Sequence, residues 1–238
     1  ETDLESNEVI EQFMLTANES VAEKFYWLQA PFIYRVHDVP DIEKVNDLNK
    51  FLFNLGYKIR GVKKDDEDSI HPKAFAQVLE EVKGKPEERV VSNLILRTLK
   101  VAKYESENRG HFGIASKYYC HFTSPIRRYP DLFIHRIISK YLDNDYLVND
   151  FWIKKYEKRA EKKAENCSER ERVATKVERE AEDIKKAEFM ESKIGEEYEG
   201  IVSSVTNFGI FVELDNTVEG LIRYEKLGDE YFIYNEEK

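Results

Sequence analysis

The stretch HFTSPIRRYPDL, residues 121–132, decides how this chain is read. Thr123 or Ser124 is a good helix cap, and Pro125 suits a first helical position, where a missing N–H costs nothing. The pattern predicts a helix from here to about residue 142. Its first turn would expose free N–H groups and the positive end of the helix dipole, an anion site. Arg127 and Arg128 fall in that turn, where positive charge opposes the dipole. Two readings follow. Either both arginines attract an anion such as phosphate, which fits the guanidinium fork, or carboxylates elsewhere in an acidic chain pair with them.

The surroundings are rich in rings. His111, His121 and His135 lie close by in a chain of only five histidines. Tyr118, Tyr119, Phe122 and Tyr129 interleave with the basic residues. Aromatic rings beside cations suit single-stranded nucleic acid, whose bases stack while its phosphates are held. The plainer reading of any one histidine is a satisfied core residue. Asp131 and His135, four apart, could ligate a metal or simply form a helix-stabilising pair.

Working outward, apolar spacing predicts helices over 6–28, 41–55, 72–84 and 86–103. The first would turn Val9, Ile10, Phe13 and Met14 inward with Ala17, Val21, Ala22 and Phe25. APFIYRVHD, 30–38, alternates like a strand and places Arg35 and His37 on one side. Residues 111–122 read as short strands with a turn. From 149 to 190 the chain is helix-favouring and heavily charged, and Ser168 with Glu171 forms a capping box that predicts a break near 167. From 195 short alternating runs separated by turns predict antiparallel strands. The expected fold is α+β: a helix-rich domain over 1–192 and a small β domain over 193–238.

Composition bounds the rest. The 238 residues are 41% hydrophobic, enough for a core, and 35% charged, with a net charge of −10. An overall basic footprint is therefore missing, although a local basic channel can sit within an acidic surface. Cys120 and Cys167 have no metal or disulfide spacing and read as free thiols in a reducing, cytoplasmic setting. No apolar run is long enough to span a membrane. The acidic start, ETDLESNEVIEQF, has no signal-peptide character. It opens directly into a helix pattern, so a fragment of something longer is expected.

HFTSPIRRYPDLFIHR resembles the signature of the RNase II/RNase R family of exoribonucleases. The resemblance extends through VIEQFMLTANESVAEKF, FIYRVHDVPD, LRTLKVAKYESENRGHFGIASKYY and SERERVATKVEREAEDIKKAEFM. Residues 195–234 resemble the family's C-terminal RNA-binding module, an OB-type barrel of the ribosomal-protein S-one type. The resemblance implies 3′-to-5′ hydrolysis of single-stranded RNA with divalent metal, releasing nucleoside 5′-monophosphates, by a monomer.

It also implies roles. Arg127 matches the arginine that touches the scissile or neighbouring phosphate, and Thr123, Ser124 and Arg128 would support it. Glu11, beside Gln12, matches a glutamate facing the RNA end. Arg35, His37 and Arg97 match basic residues of the RNA channel, and Glu178 matches a position near its path. Phe208 and Phe211 would be a stacking platform, or ordinary barrel core. Arg223 stands where the family more often has histidine.

One departure is large. The family's run of aspartates that holds Mg2+ is not in this sequence, and the KKDDEDS cluster at 63–69 reads as a solvated loop. The metal would belong to the full-length parent, with its ligands outside this chain. The expectation is a C-terminal half of the catalytic domain followed by a truncated barrel, inactive alone. A catalytically dead RNA-binding protein and a protein-interaction module built on the 149–190 helices are the rival readings.

Overall fold

A computed structural model describes residues 4–63, 66–228, 232 and 234. Among the described residues the helices are α1 (Glu5–Trp27), α2 (Ile42–Asn54), α3 (Pro72–Val82), α4 (Glu88–Thr98), α5 (Tyr129–Leu142) and α6 (Asp150–Glu191). The strands are β1 (Tyr34–Val36), β2 (Lys103–Glu105), β3 (Gly200–Thr206), β4 (Gly209–Leu214) and β5 (Glu219–Arg223). The α+β expectation holds. The chain divides into two compact units after Val173, within α6.

Two apolar cores build the first unit. One joins the C-terminal half of α1 (Ala22, Phe25) to Phe32, Ile33 and Val36, to Ile134 and Ile137 of α5, and to Trp152, Ala160 and Ala164 of α6. The other packs α2, α3 and α4 through Val45, Leu52, Val78, Val82, Val91 and Ile95. Phe112 belongs to the second core and lies edge-on to both Phe75 and His37. His37, which follows Val36 of the first core, therefore meets Phe112 of the second.

β1 and β2 form a short antiparallel pair with Arg35 opposite Tyr104. The strand expected over 30–38 is only three residues long, because the backbone then turns to other partners. Arg35 donates its N–H to the Tyr119 carbonyl, and His37 exchanges backbone bonds with Gly110 and Phe112. The strands expected within 111–122 are absent: a single 3₁₀ turn, Phe112–Ile114, and isolated bridges stand there. α4 stops at Thr98 rather than 103, since the backbone is already extended at Leu99 on its way to β2 at Lys103.

Two further expectations are corrected. α6 is unbroken, because Ser168 does not cap a helix. Its hydroxyl accepts the Tyr104 N–H at 2.8 Å and donates to the Tyr104 carbonyl at 2.9 Å. Val9, Ile10, Phe13 and Met14 of α1 face outward, Phe13 at 73% exposure, since only the later turns of that helix meet the core. Leu96 of α4 is likewise exposed.

In the second unit β3, β4 and β5 make an antiparallel sheet in that order. Ser203 interrupts the register as a bulge between Val202 and Ser204. Gly209, the first residue of β4, is required by the close approach of β5, since a Cβ there would come within 2.4 Å of the Ile222 carbonyl oxygen. The expectation that the barrel is cut short at NEEK falls on 235–238, outside the described residues.

Candidate nucleic-acid interface

The loop before α5 departs from the sequence reading. The helix begins at Tyr129, not at Ser124, and Pro130 rather than Pro125 sits in its first turn. Residues 125–127 form a turn in which the N–H groups of Arg127 and Arg128 both point to the Ser124 carbonyl. The reason is Asp131. Its carboxylate, fully buried in the first turn of α5, accepts the Ser124 N–H at 2.7 Å. It also accepts a two-pronged bond from Arg128, at 2.9 Å from Nε and 2.8 Å from the terminal nitrogen. An acidic side chain already occupies the positive end of this helix, so no free helix-end anion site remains there.

The two arginines therefore divide the readings between them. Arg128 is the partner of a carboxylate. Arg127 is exposed and makes no side-chain hydrogen bond or ion pair among the described residues. Asp131 and His135 share no hydrogen bond or ion pair among the described residues. His135 stacks on Phe122, with ring centroids 4.3 Å apart, and its Nε2 lies 3.0 Å from the Phe122 carbonyl.

Asn18 of α1 holds the same loop from the other side. Its side-chain oxygen accepts the N–H groups of Phe122 and Thr123, at 2.9 and 3.2 Å. Its amide donates to the Tyr119 hydroxyl at 3.2 Å. A polar residue on the same helix stripe as Ala22 and Phe25 was the only sequence signal for this buried hub.

Behind the loop, imidazoles and phenols form a row. His37 meets His111 at 5.1 Å, His111 meets Tyr119 at 5.3 Å, and Tyr119 meets His121 at 5.8 Å, all edge to face. His121 Nδ1 lies 2.9 Å from the Tyr104 hydroxyl. Arg35 lies over the Tyr104 ring, 4.6 Å from its centroid, and forms an ion pair with Glu171 of α6 at 2.6 Å. Glu171 and Ser168, read from sequence as a capping box, are thus the anchors of β1 and β2.

The three imidazoles of the row are neutral at pH 7. Burial lowers His121 to about 3, with Arg128 and Arg35 adding to the effect. Burial also lowers His111 to about 4, with His37 and Arg35 contributing. His37 moves down for the same first reason. His37 Nδ1 accepts the Gly113 N–H at 3.0 Å, which fixes the proton on Nε2. That Nε2, like His111 Nδ1, is buried with no hydrogen-bond partner among the described residues.

The remaining site residues are spread over the fold. Glu11 is exposed on α1, and Arg97 is exposed on the last turn of α4. Glu178 is exposed on the part of α6 that belongs to the second unit. No hydrogen bond or ion pair among the described residues joins any of these three to Arg127. On the small sheet Phe208 is 54% exposed, while Phe211 is half-buried and meets it edge-on at 6.2 Å. Phe208 and Arg223 share a cavity of about 510 Å3 with Leu221 and Tyr224.

Among the described residues, no three His, Cys, Asp or Glu side chains converge as a metal cradle. Lys64 and Asp65 of the acidic loop lie outside the described residues.

This arrangement defines a class of chain: a helix-rich unit presenting an exposed arginine on a pinned loop, followed by a small antiparallel sheet. The RNB domain model matches residues 1–144, more than half of the chain, and the S1 RNA binding domain model matches residues 191–238. The chain belongs to the RNB family. It is 45% identical over 228 residues to Ribonuclease R 1 of Lactococcus lactis subsp. lactis, covering 96% of this chain and 27% of that protein. It is 43% identical over 235 residues to Ribonuclease R of Aquifex aeolicus, covering 97% of this chain and 32% of that protein. It therefore spans about a third of the length of these relatives. Among solved structures, Mycoplasma genitalium RNase R in complex with ribose-methylated single-stranded RNA superimposes with a TM-score of 0.85 at 33% identity, covering 96% of this chain and 35% of that one.

Proposed function

We propose that this chain forms part of the RNA path of a 3′-to-5′ exoribonuclease that degrades single-stranded RNA processively to nucleoside 5′-monophosphates. The observation that carries this reading is the contrast between the two arginines. Asp131 consumes the charge of Arg128 and holds the loop, which leaves Arg127 exposed, without a partner among the described residues and mounted on a hydrogen-bonded loop. An unpaired guanidinium on a fixed loop is preorganised for a phosphate and would neutralise charge on phosphoryl oxygens. Thr123 and Ser124 shape the same loop through their backbone N–H groups. Arg35 and His37 brace the wall behind it, and Arg97, Glu11 and Glu178 are assigned to the path by the family resemblance. Phe208, Phe211 and Arg223 would supply stacking and charge on the small sheet.

Magnesium is assigned to the full-length enzyme on the same resemblance. The whole enzyme is read as a cytoplasmic monomer.

The test is binding of a fluorescent single-stranded oligoribonucleotide across a salt series. Arg127→Ala should weaken binding roughly tenfold, the worth of one charged hydrogen-bonded contact. It should also flatten the dependence of affinity on salt. Unchanged affinity and slope would remove the phosphate clamp from this loop. Adding Mg2+ and following 5′-monophosphate release should give no product from this chain alone, and product would place metal ligands within it.

A further inference from the structure

A second group of rings lies at the end of α1, outside the buried row. Trp27 is 68% exposed and Tyr26 40% exposed. Tyr26 lies 5.4 Å from Trp27 and 4.7 Å from Tyr118, and Trp27 lies 6.3 Å from Tyr118. Three aromatic rings turned partly to solvent are costly to leave bare, and core packing does not require Trp27. Tyr26 and Tyr118 form one wall of a cleft of about 370 Å3, about the size that encloses a small ligand.

The rest of the cleft is chemically divided. Lys117 and Arg109 stand on its lining. Arg109 is held by Asp38 and Glu105, whereas Lys117 is exposed and has no ion pair among the described residues. His37 and His111 also line it, and both are kept neutral by burial. An uncharged aromatic lining with one free cation does not suit a bare anion. It suits a flat, neutral ring that carries its negative charge at one end. The loop that supplies Lys117 is rigid: His111 and Ser116 exchange backbone bonds at 2.8 and 3.2 Å, and Ala115 is left-handed at φ 55°.

We infer that this cleft binds a base of single-stranded RNA, stacked on Tyr26 and Tyr118 with Trp27 beside them, and with the attached phosphate at Lys117. The inference rests on the RNA reading above and adds a site separate from the Arg127 loop. Stacking on exposed rings tolerates any base, so this site would hold RNA without selecting sequence.

Trp27 is itself the reporter, because the chain has only two tryptophans and Trp152 is buried. Adenosine 5′-monophosphate should quench the fluorescence of the full chain saturably, and ribose 5-phosphate should not. Lys117→Ala should weaken the adenosine 5′-monophosphate titration at least threefold. Trp27→Leu should lower oligoribonucleotide affinity by a similar factor, and the quench should persist in Arg127→Ala. Absence of a saturable quench would overturn the inference. So would equal quenching by ribose 5-phosphate, which would mark a phosphate site, or loss of the quench in Arg127→Ala, which would mark one continuous site. Oligoribonucleotide binding that depends on Arg127 but leaves Trp27 silent would overturn this cleft alone. A Trp27 quench without oligoribonucleotide binding would overturn the RNA-path reading instead.

Discussion

Glu171 of α6 places its carboxylate 2.6 Å from the guanidinium of Arg35 on β1, across 136 residues of sequence. One turn earlier on the same helix, Ser168 grips both backbone groups of Tyr104 on β2. A two-stranded ribbon of three residues a side is not stable by itself. Its position against the helix comes from these side chains. Glu171→Ala should therefore destabilise the chain by about 1 kcal/mol, since the pair is partly exposed and screened. Urea denaturation of Glu171→Ala, Arg35→Met and the double variant measures the coupling. A double variant no less stable than either single one would identify the pair as the unit.

Asp131 is the keystone of the Arg127 loop. Asp131→Ala leaves the Arg128 guanidinium and the Ser124 N–H without their acceptor in a buried place. The expected loss is about 3–5 kcal/mol, the cost of breaking a buried pair from one side. Asp131→Asn keeps one acceptor and should lose less. In folded Asp131→Asn, oligoribonucleotide affinity should still fall, because Arg127 would then sit on a loosened loop. Chemical denaturation and fluorescence anisotropy on the same samples separate the two effects.

Asn18→Leu should be worse than its volume suggests. The apolar replacement fills the space but leaves the Phe122 and Thr123 N–H groups without an acceptor. Each unsatisfied donor costs about 1–3 kcal/mol. A calorimetric melting point well below that of the wild type is expected. An unchanged melting point would show that these N–H groups reach water.

Acid should weaken the fold through the neutral imidazole row. The folded-state values of His121 and His111, about 3 and about 4, lie below the ordinary value near 6.5. The unfolded chain therefore takes up these protons first as pH falls. Stability should decline from about pH 6.5 downward, by up to ~1.4 kcal/mol per pH unit for each histidine. Urea midpoints at pH 7 and pH 5 test the sign. In His121→Phe the slope over this window should be shallower.

Much of this protein was legible along the chain. The helices, the change to a small β domain and the family signature around Arg127 and Arg128 all come from local spacing and residue order. Local propensity acts over a few residues, so one sequence suffices to read it. Which arginine stays free was not legible. Arg127 and Arg128 are adjacent and chemically identical, and their difference arises only when Asp131 is buried beside one of them. The same limit explains Ser168 and Glu171, which match a capping box locally but serve β1 and β2 instead. It also explains Asn18, whose three partners lie more than 100 residues away. A buried polar group must find a partner wherever the fold provides one, and that choice is made in three dimensions. The tertiary structure therefore decided which charges were consumed by the scaffold and which were left for a ligand.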